Sequence, residues 1–228
     1  MNLRGEQIEP EAYLGIAVSE WLPHRSEGAN YERVLTTLAE RFVQKHRDSW
    51  LRDVLGSQRT GGGDRGLAAL AAAIQANSAD DSEAALRKAA EATRELQSTG
   101  NAAAALRADY EQSYALHRTV QSAAECVPKA AAVERRASAS LYAWLAAAAA
   151  LEQGNCRSLT GESGQAFSDM TRAREAAHRA GYDRLEFQAA CVLWEMQADN
   201  GNLLAVWNFG RDALVQYWSG AYSAHRVH

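Results

Sequence analysis

The chain has 228 residues, 47% of them hydrophobic, a formal charge of −4 and only three prolines. That length and apolar content suffice for a buried core, while the acidic balance argues against nonspecific nucleic-acid binding, which needs a concentrated basic face. Ala, Leu, Arg and Glu dominate, and no stretch alternates apolar and polar positions with β-branched enrichment, so the expected class is all-α.

Residues 1–60 predict three short helices, at 10–22, 30–46 and 47–56. The second carries Leu35, Leu38, Phe42 and Val43 at helical spacing, and the third carries Trp50, Leu51, Val54 and Leu55. Gly61-Gly62-Gly63 then breaks the pattern, and Asp64 can cap the next helix. The stretch 61–66 reads as a flexible linker, because it lacks the Gly-Lys-Ser/Thr ending of a phosphate loop.

Helical hairpins fill 67–222, with approximate limits 64–98, 102–136, 138–180 and 182–218, and 223–228 form a tail. Turn signals fall at Asp80-Asp81, Gly100, Gly161, Gly181, Gly201 and Gly220, and their intervals share a unit of about forty residues. Such a period marks a solenoid, in which each unit buries its apolar face only against its neighbours. Leu141 to Leu151, the longest apolar run, is well short of the roughly twenty residues of a membrane span and predicts a buried helix. No basic, then apolar, then small-residue leader opens the chain, so a secretory signal is not expected. Three dispersed cysteines, Cys126, Cys156 and Cys191, predict no disulfide framework and suit a reducing cytoplasm.

Small residues recur where two helices of a hairpin would cross closely. Gly154, Ala166 and Ala173 are spaced by 12 and 7, as are Ala73, Ala85 and Ala92; Trp194, Val206 and Ala213 share the spacing, but their first position is bulky. The second hairpin is degenerate, pairing Ser113 with Glu125 unless one residue is lost and Ala124 takes the place. Taking 85, 125, 166 and 206 as equivalent gives steps of 40, 41 and 40. This pattern resembles the tetratricopeptide repeat with lengthened helices, and the resemblance implies a right-handed α-solenoid of about forty residues per repeat.

Further strings look like the helical region of bacterial CHAT-domain proteins. They are HRDSWLRDVL (46–55), GLAALAAAIQANSADDSEAALRKAAEATRELQSTGN (66–101), LRADYEQSYALHR (106–118), AAECV (123–127), LYAWLAAAAALEQG (141–154) and QYWSGAY (216–222). In that family a caspase-like peptidase domain follows this region, so the resemblance implies a downstream effector beyond His228. Gln188-Ala189-Ala190-Cys191-Val192 departs from the caspase Gln-Ala-Cys signature by an extra alanine and the missing glycine, and it lies within a predicted helix. Cys191 is therefore expected to be a small packing or groove residue, and no peptidase activity is expected here.

The tetratricopeptide resemblance also implies a concave groove lined by the first helix of each hairpin. It places Arg107, Tyr110, Glu111, Tyr114, His117 and Arg118 there, followed by Glu152 and Asn155, then Gln188, Glu195 and Asp199. Tyr and Arg suit peptide recognition, since both offer contact area and directed hydrogen bonds. The aromatic-rich last hairpin has no legible polar cap, so Trp207, Tyr217, Trp218 and Tyr222 are expected to form an apolar end suited to a homodimer. His225 and His228 lack accompanying ligands, and neither metal nor cofactor is expected. The expected function is a bacterial, cytoplasmic, non-enzymatic protein–protein scaffold. It would bind a protein or peptide, with the CHAT-type effector or a second copy as further partners and with no nucleic acid or membrane involved.

Overall fold

The computed structural model describes residues 10–24, 28–57, 64–119 and 122–218. Among them the chain is helical throughout and contains no strand, as composition predicts. Helix α1 (Pro10–Ile16) runs directly into a π-helical turn, Ala17–Trp21. Next come α2 (Ala29–His46), α3 (Trp50–Gly56), α4 (Asp64–Ser78) and α5 (Ser82–Ser98). The series continues through α6 (Ala102–Arg118), α7 (Ala123–Ala139), α8 (Ala143–Leu159), α9 (Ser163–Ala180), α10 (Asp183–Asp199) and α11 (Leu203–Trp218). The helix predicted over 10–22 is thus part α and part π. Gly61-Gly62-Gly63 and Gly220 lie outside the described residues, whereas Asp64, Arg65 and Gly66 belong to α4.

From α4 onward each helix packs on the next, and α4, α6, α8 and α10 also touch one another in series. These alternate helices therefore form one layer, with α5, α7 and α9 packed against them. The turns explain why the chain reverses where it does. Gly100, Gly161, Gly181 and Gly201 have φ of 75°, 83°, 71° and 72°, a region open to glycine but costly to other residues. The first turn uses Asp80 at φ 59°, and Asp81 caps α5 by accepting the Ala84 N–H at 2.9 Å.

One turn departs from expectation. Leu141 occupies the left-handed region at φ 59° between α7 and α8 and is 70% exposed. The apolar run 141–151 is not wholly a buried helix, because α8 starts only at Ala143. The left-handed turn sends the Leu141 side chain to solvent.

One close crossing lies between α8 and α9, matched by that of Gly66 on Leu96 between α4 and α5. A Cβ on Gly154 would sit 2.7 Å from the Met170 side chain and 3.2 Å from the Ala166 carbonyl oxygen, so only glycine fits. Ala166 and Ala173 are fully buried on the facing helix. Beside this crossing, buried Asp169 accepts hydrogen bonds from Gln153 Nε2 at 2.9 Å and Arg157 Nη1 at 2.7 Å.

Contrary to the expectation drawn from cysteine spacing, Cys126 of α7 and Cys156 of α8 form a disulfide. Thirty residues apart in sequence, they meet because antiparallel packing of α7 on α8 brings their Cα atoms to 5.9 Å. The cysteines accordingly no longer argue for a reducing compartment. Among the described residues no helix is long and apolar enough to cross a membrane.

The N-terminal helices share the core of the array. His46 Nδ1 donates to the Ala180 carbonyl at 2.7 Å, and its ring stacks on Tyr182. Asp48 accepts the Trp144 N–H at 2.7 Å, the Tyr182 hydroxyl at 2.8 Å and the Trp50 N–H at 3.0 Å. Burial pushes the Asp48 carboxyl above its ordinary value despite these donors, and burial and the Asp48 charge push the Tyr182 phenol up. Trp50 Nε1 donates to the Ala103 carbonyl at 2.8 Å, and Asn101 Nδ2 donates to the Val54 carbonyl at 3.1 Å. The stretch 46–54 therefore crosses the N-terminal ends of α10, α8 and α6 in turn and fixes their relative positions.

Candidate functional site

Registering α6, α8 and α10 at their N-terminal ends leaves a cavity of about 230 Å³ along the layer they form with α4. Helix α4 contributes Ile74, Asn77 and Ser78, and α6 contributes Arg107, Tyr110, Glu111 and Tyr114. Helix α8 adds Trp144, Leu151 and Glu152, α10 adds Arg184, Leu185 and Gln188, and Glu11 reaches in from α1. The α6 residues follow the spacing i, i+3, i+4, i+7, so one helical face carries all four.

The wall is polar and buried. Arg107 and Glu111, 7% and 3% exposed, pair through Nε and Oε1 at 2.6 Å. The Arg107 guanidinium lies 4.2 Å from the Trp144 ring centroid and 5.3 Å from that of Tyr110, so two aromatic faces help to offset its desolvation. Asn77 Nδ2 donates to Glu111 Oε2 at 2.7 Å and to the Glu111 carbonyl at 3.1 Å. Those two acceptors fix the orientation of the amide and leave Asn77 Oδ1 buried with no donor.

Glu152 is 3% exposed, and its Oε2 accepts from His117 Nδ1 at 2.8 Å. Arg118 lies over the Tyr114 ring at 4.8 Å and pairs with Asp80 at the rim. Burial, then the negative charges of Glu152 and Glu111, hold the Tyr110 phenol well above its usual range. The Tyr114 phenol is pushed up chiefly by burial, with Arg118 opposing.

The structure thus places Arg107, Tyr110, Glu111, Tyr114, Glu152 and Gln188 on one cavity wall, with His117 and Arg118 at its edge. It does not bring Asn155, Glu195 or Asp199 there: Asn155 is half-buried farther along α8, while Glu195 and Asp199 are exposed toward the far end of α10. Asn77, Trp144 and Glu11 are wall residues that spacing alone misses. Asn77 did leave a signal, one of two amides, with Gln75, late in the alanine-rich helix DRGLAALAAAIQANS.

Cys191 is half-buried on α10, and burial together with Glu195 pushes its thiol up, away from the thiolate a nucleophile needs. At the other end of the array Trp207 and Trp218 are 69% and 80% exposed. Tyr222, His225 and His228 lie outside the described residues, as does the side chain of Tyr217. Among protein-family models, curated proteins and solved structures, none matches this chain.

Proposed function

We propose that this chain is a protein–protein interaction scaffold that docks a peptide or helix in the groove along α4, α6, α8 and α10. In this reading the array is a right-handed, tetratricopeptide-like solenoid with a repeat of about forty residues. It would serve as the regulatory or sensing arm of a cytoplasmic CHAT-type protein, passing partner occupancy to a C-terminal effector.

The observation that supports this reading most directly is convergence. Side chains from four successive layer helices and from α1 surround one cavity, and an interaction groove built on a helical layer has that form. A displayed random-peptide library, selected on the intact chain and counter-selected on the Tyr114→Ala/Arg118→Ala variant, tests it. Groove-dependent binders are expected from the native protein and not from the variant, whose melting curve should remain cooperative. Binders that ignore both substitutions would remove the groove as the docking surface.

A second reading has its own support. Leu203, Leu204, Trp207, Leu214 and Val215 of α11 are each at least 59% exposed. An exposed apolar face of this kind suits a stand-alone adaptor that self-associates through α11.

A further inference from the structure

Two rows of side chains along α2 line a cleft separate from the cavity. Arg33, Thr37, Arg41 and Lys45 form one row at i+4 spacing, and Val34, Leu38, Phe42 and His46 form the next, one residue on. Both rows face a space of about 470 Å³. Its other wall is Pro10 and Tyr13 of α1 together with Trp21, which ends the π-helical turn. Such turns are rare in helices and occur mostly at functional positions. The apolar row is the floor: Phe42 is buried, Tyr13, Trp21 and Leu38 are half-buried, and Val34 is 47% exposed.

The basic row is the rim, and its charge is unanswered. Arg33, Arg41 and Lys45 are all exposed. Arg33 donates to Asn30 Oδ1 at 2.9 Å, and among the described residues Arg41 and Lys45 pair with no carboxylate. On the repeat helices, by contrast, the exposed cations Arg87, Lys88, Arg172 and Arg179 each pair with one. Glu20, Glu32 and Glu40 adjoin Trp21, Arg33 and Arg41 in sequence, but none of these acids lines the cleft. The lining therefore holds Arg33, Arg41 and Lys45 and no carboxylate, on a chain whose net charge is −4. A positive cleft on an acidic chain is complementary to an anionic partner.

Length decides which kind of anion fits. From Arg33 to Lys45 the row runs about 18 Å along α2. The head group of a small amphiphile can meet Arg41 and Lys45, one turn apart, but not Arg33, about 12 Å from Arg41 along the axis. An amphipathic helix laid along the cleft meets both rows, with apolar anchors on the floor and flanking carboxylates on the rim. We infer that the cleft between α1 and α2 docks an acidic amphipathic helix of a partner protein. It shares no lining residue with the cavity, so neither docking surface depends on the other.

The test uses helix-forming peptides of about 16 residues, roughly four turns, with leucines on one face and an uncharged fluorophore. Their flanking positions are all Glu, all Gln or all Lys, and each is titrated against the intact chain by fluorescence anisotropy. The Glu peptide should bind at least about tenfold more tightly than the Gln peptide, with the Lys peptide weakest and the differences shrinking as salt is added. Arg33→Gln/Arg41→Gln/Lys45→Gln should erase that preference and still melt cooperatively, since all three side chains are exposed. If it does not melt cooperatively, Arg41→Gln/Lys45→Gln replaces it, with an expected loss of about fivefold for the Glu peptide. Exchanging the leucines of the Glu peptide for alanine should cost at least about tenfold, because the floor is then left uncovered. The cavity variant Tyr114→Ala/Arg118→Ala should bind the Glu peptide as the native chain does. Equal binding of the Glu, Gln and Lys peptides overturns the inference. So does a preference that survives the triple variant or vanishes in the cavity variant, a Glu peptide indifferent to its leucines, or no binding of it up to about 1 mM. Binding to phosphatidylserine vesicles that requires Arg33, Arg41 and Lys45, without binding of any peptide, would assign the cleft to an anionic membrane and overturn the helix as its occupant.

Discussion

The cavity along α4 to α10 and the outer face of α11 invert the usual distribution of side chains. In the cavity, Arg107, Glu111 and Glu152 are withdrawn from water, each with a partner. On α11, Trp207, Leu214 and Val215 are left in it, although they are the residues whose burial contributes most to a fold. Neither arrangement is the one stability alone selects. Buried ion pairs often stabilise less than apolar residues of the same size, and exposed indoles forgo their transfer energy. The difference is that the cavity charges would be missed if only one were removed, whereas the α11 side chains would not.

The largest expected effect is at the pair itself. Glu111→Ala leaves Arg107 buried without its carboxylate and removes the side-chain acceptor of Asn77 Nδ2, for an expected loss of about 3–5 kcal/mol. Arg107→Met/Glu111→Leu should recover most of that loss in thermal melts while failing to bind groove-dependent peptides from the library. A double variant as unstable as the single one would mean that the pair holds the fold rather than the ligand site.

Next in size is the cross-link that clamps α7 onto α8 behind the cavity. Closing a loop of 30 residues, the Cys126–Cys156 disulfide should contribute about 3–4 kcal/mol through its constraint on the unfolded chain. Denaturation with and without reductant measures this directly. Association through α11 should not respond, because both cysteines lie on other helices. A reductant-sensitive dimer would break the separation of the two regions.

The sequence made the helices and most turns legible because each carried a local cause. Gly100, Gly161, Gly181 and Gly201 mark left-handed positions, and Gly154 marks the tight crossing on α9. Six residues of the cavity wall, Arg107, Tyr110, Glu111, Tyr114, Glu152 and Gln188, were named beforehand as well, but through the tetratricopeptide resemblance rather than through composition or spacing alone. The contacts that escaped depended on distance in three dimensions. Trp144 joins the cavity because Asp48 holds the start of α8, and the disulfide forms because α7 and α8 run antiparallel. No local pattern encodes either contact.

Leu141 shows the same limit in the turns. A leucine in the left-handed region costs about 1–2 kcal/mol relative to its helical conformation, and glycine relieves that strain while adding roughly 0.5–1 kcal/mol of unfolded-state entropy. Leu141→Gly is therefore expected to stabilise the chain by about 0.5–1 kcal/mol, since the side chain is largely exposed and little packing is lost. A higher denaturant midpoint at unchanged slope would confirm it; destabilisation would mean that Leu141 packs more than its exposure implies.

The smallest stability effect should come from α11, where the contrast with the cavity is sharpest. Trp207→Gln/Leu214→Gln removes two large apolar side chains, 69% and 59% exposed, and should leave monomer stability within about 0.5 kcal/mol. Light scattering after size exclusion, at several concentrations, should then show a concentration-dependent dimer for the native chain and a monomer for the variant. A native chain that stays monomeric throughout removes the self-association reading. A variant that loses well over 1 kcal/mol shows instead that the face is packed within the chain. If the dimer is lost while groove-dependent peptide binding is kept, the two regions act independently, one through the polar cavity and the other through exposed apolar surface.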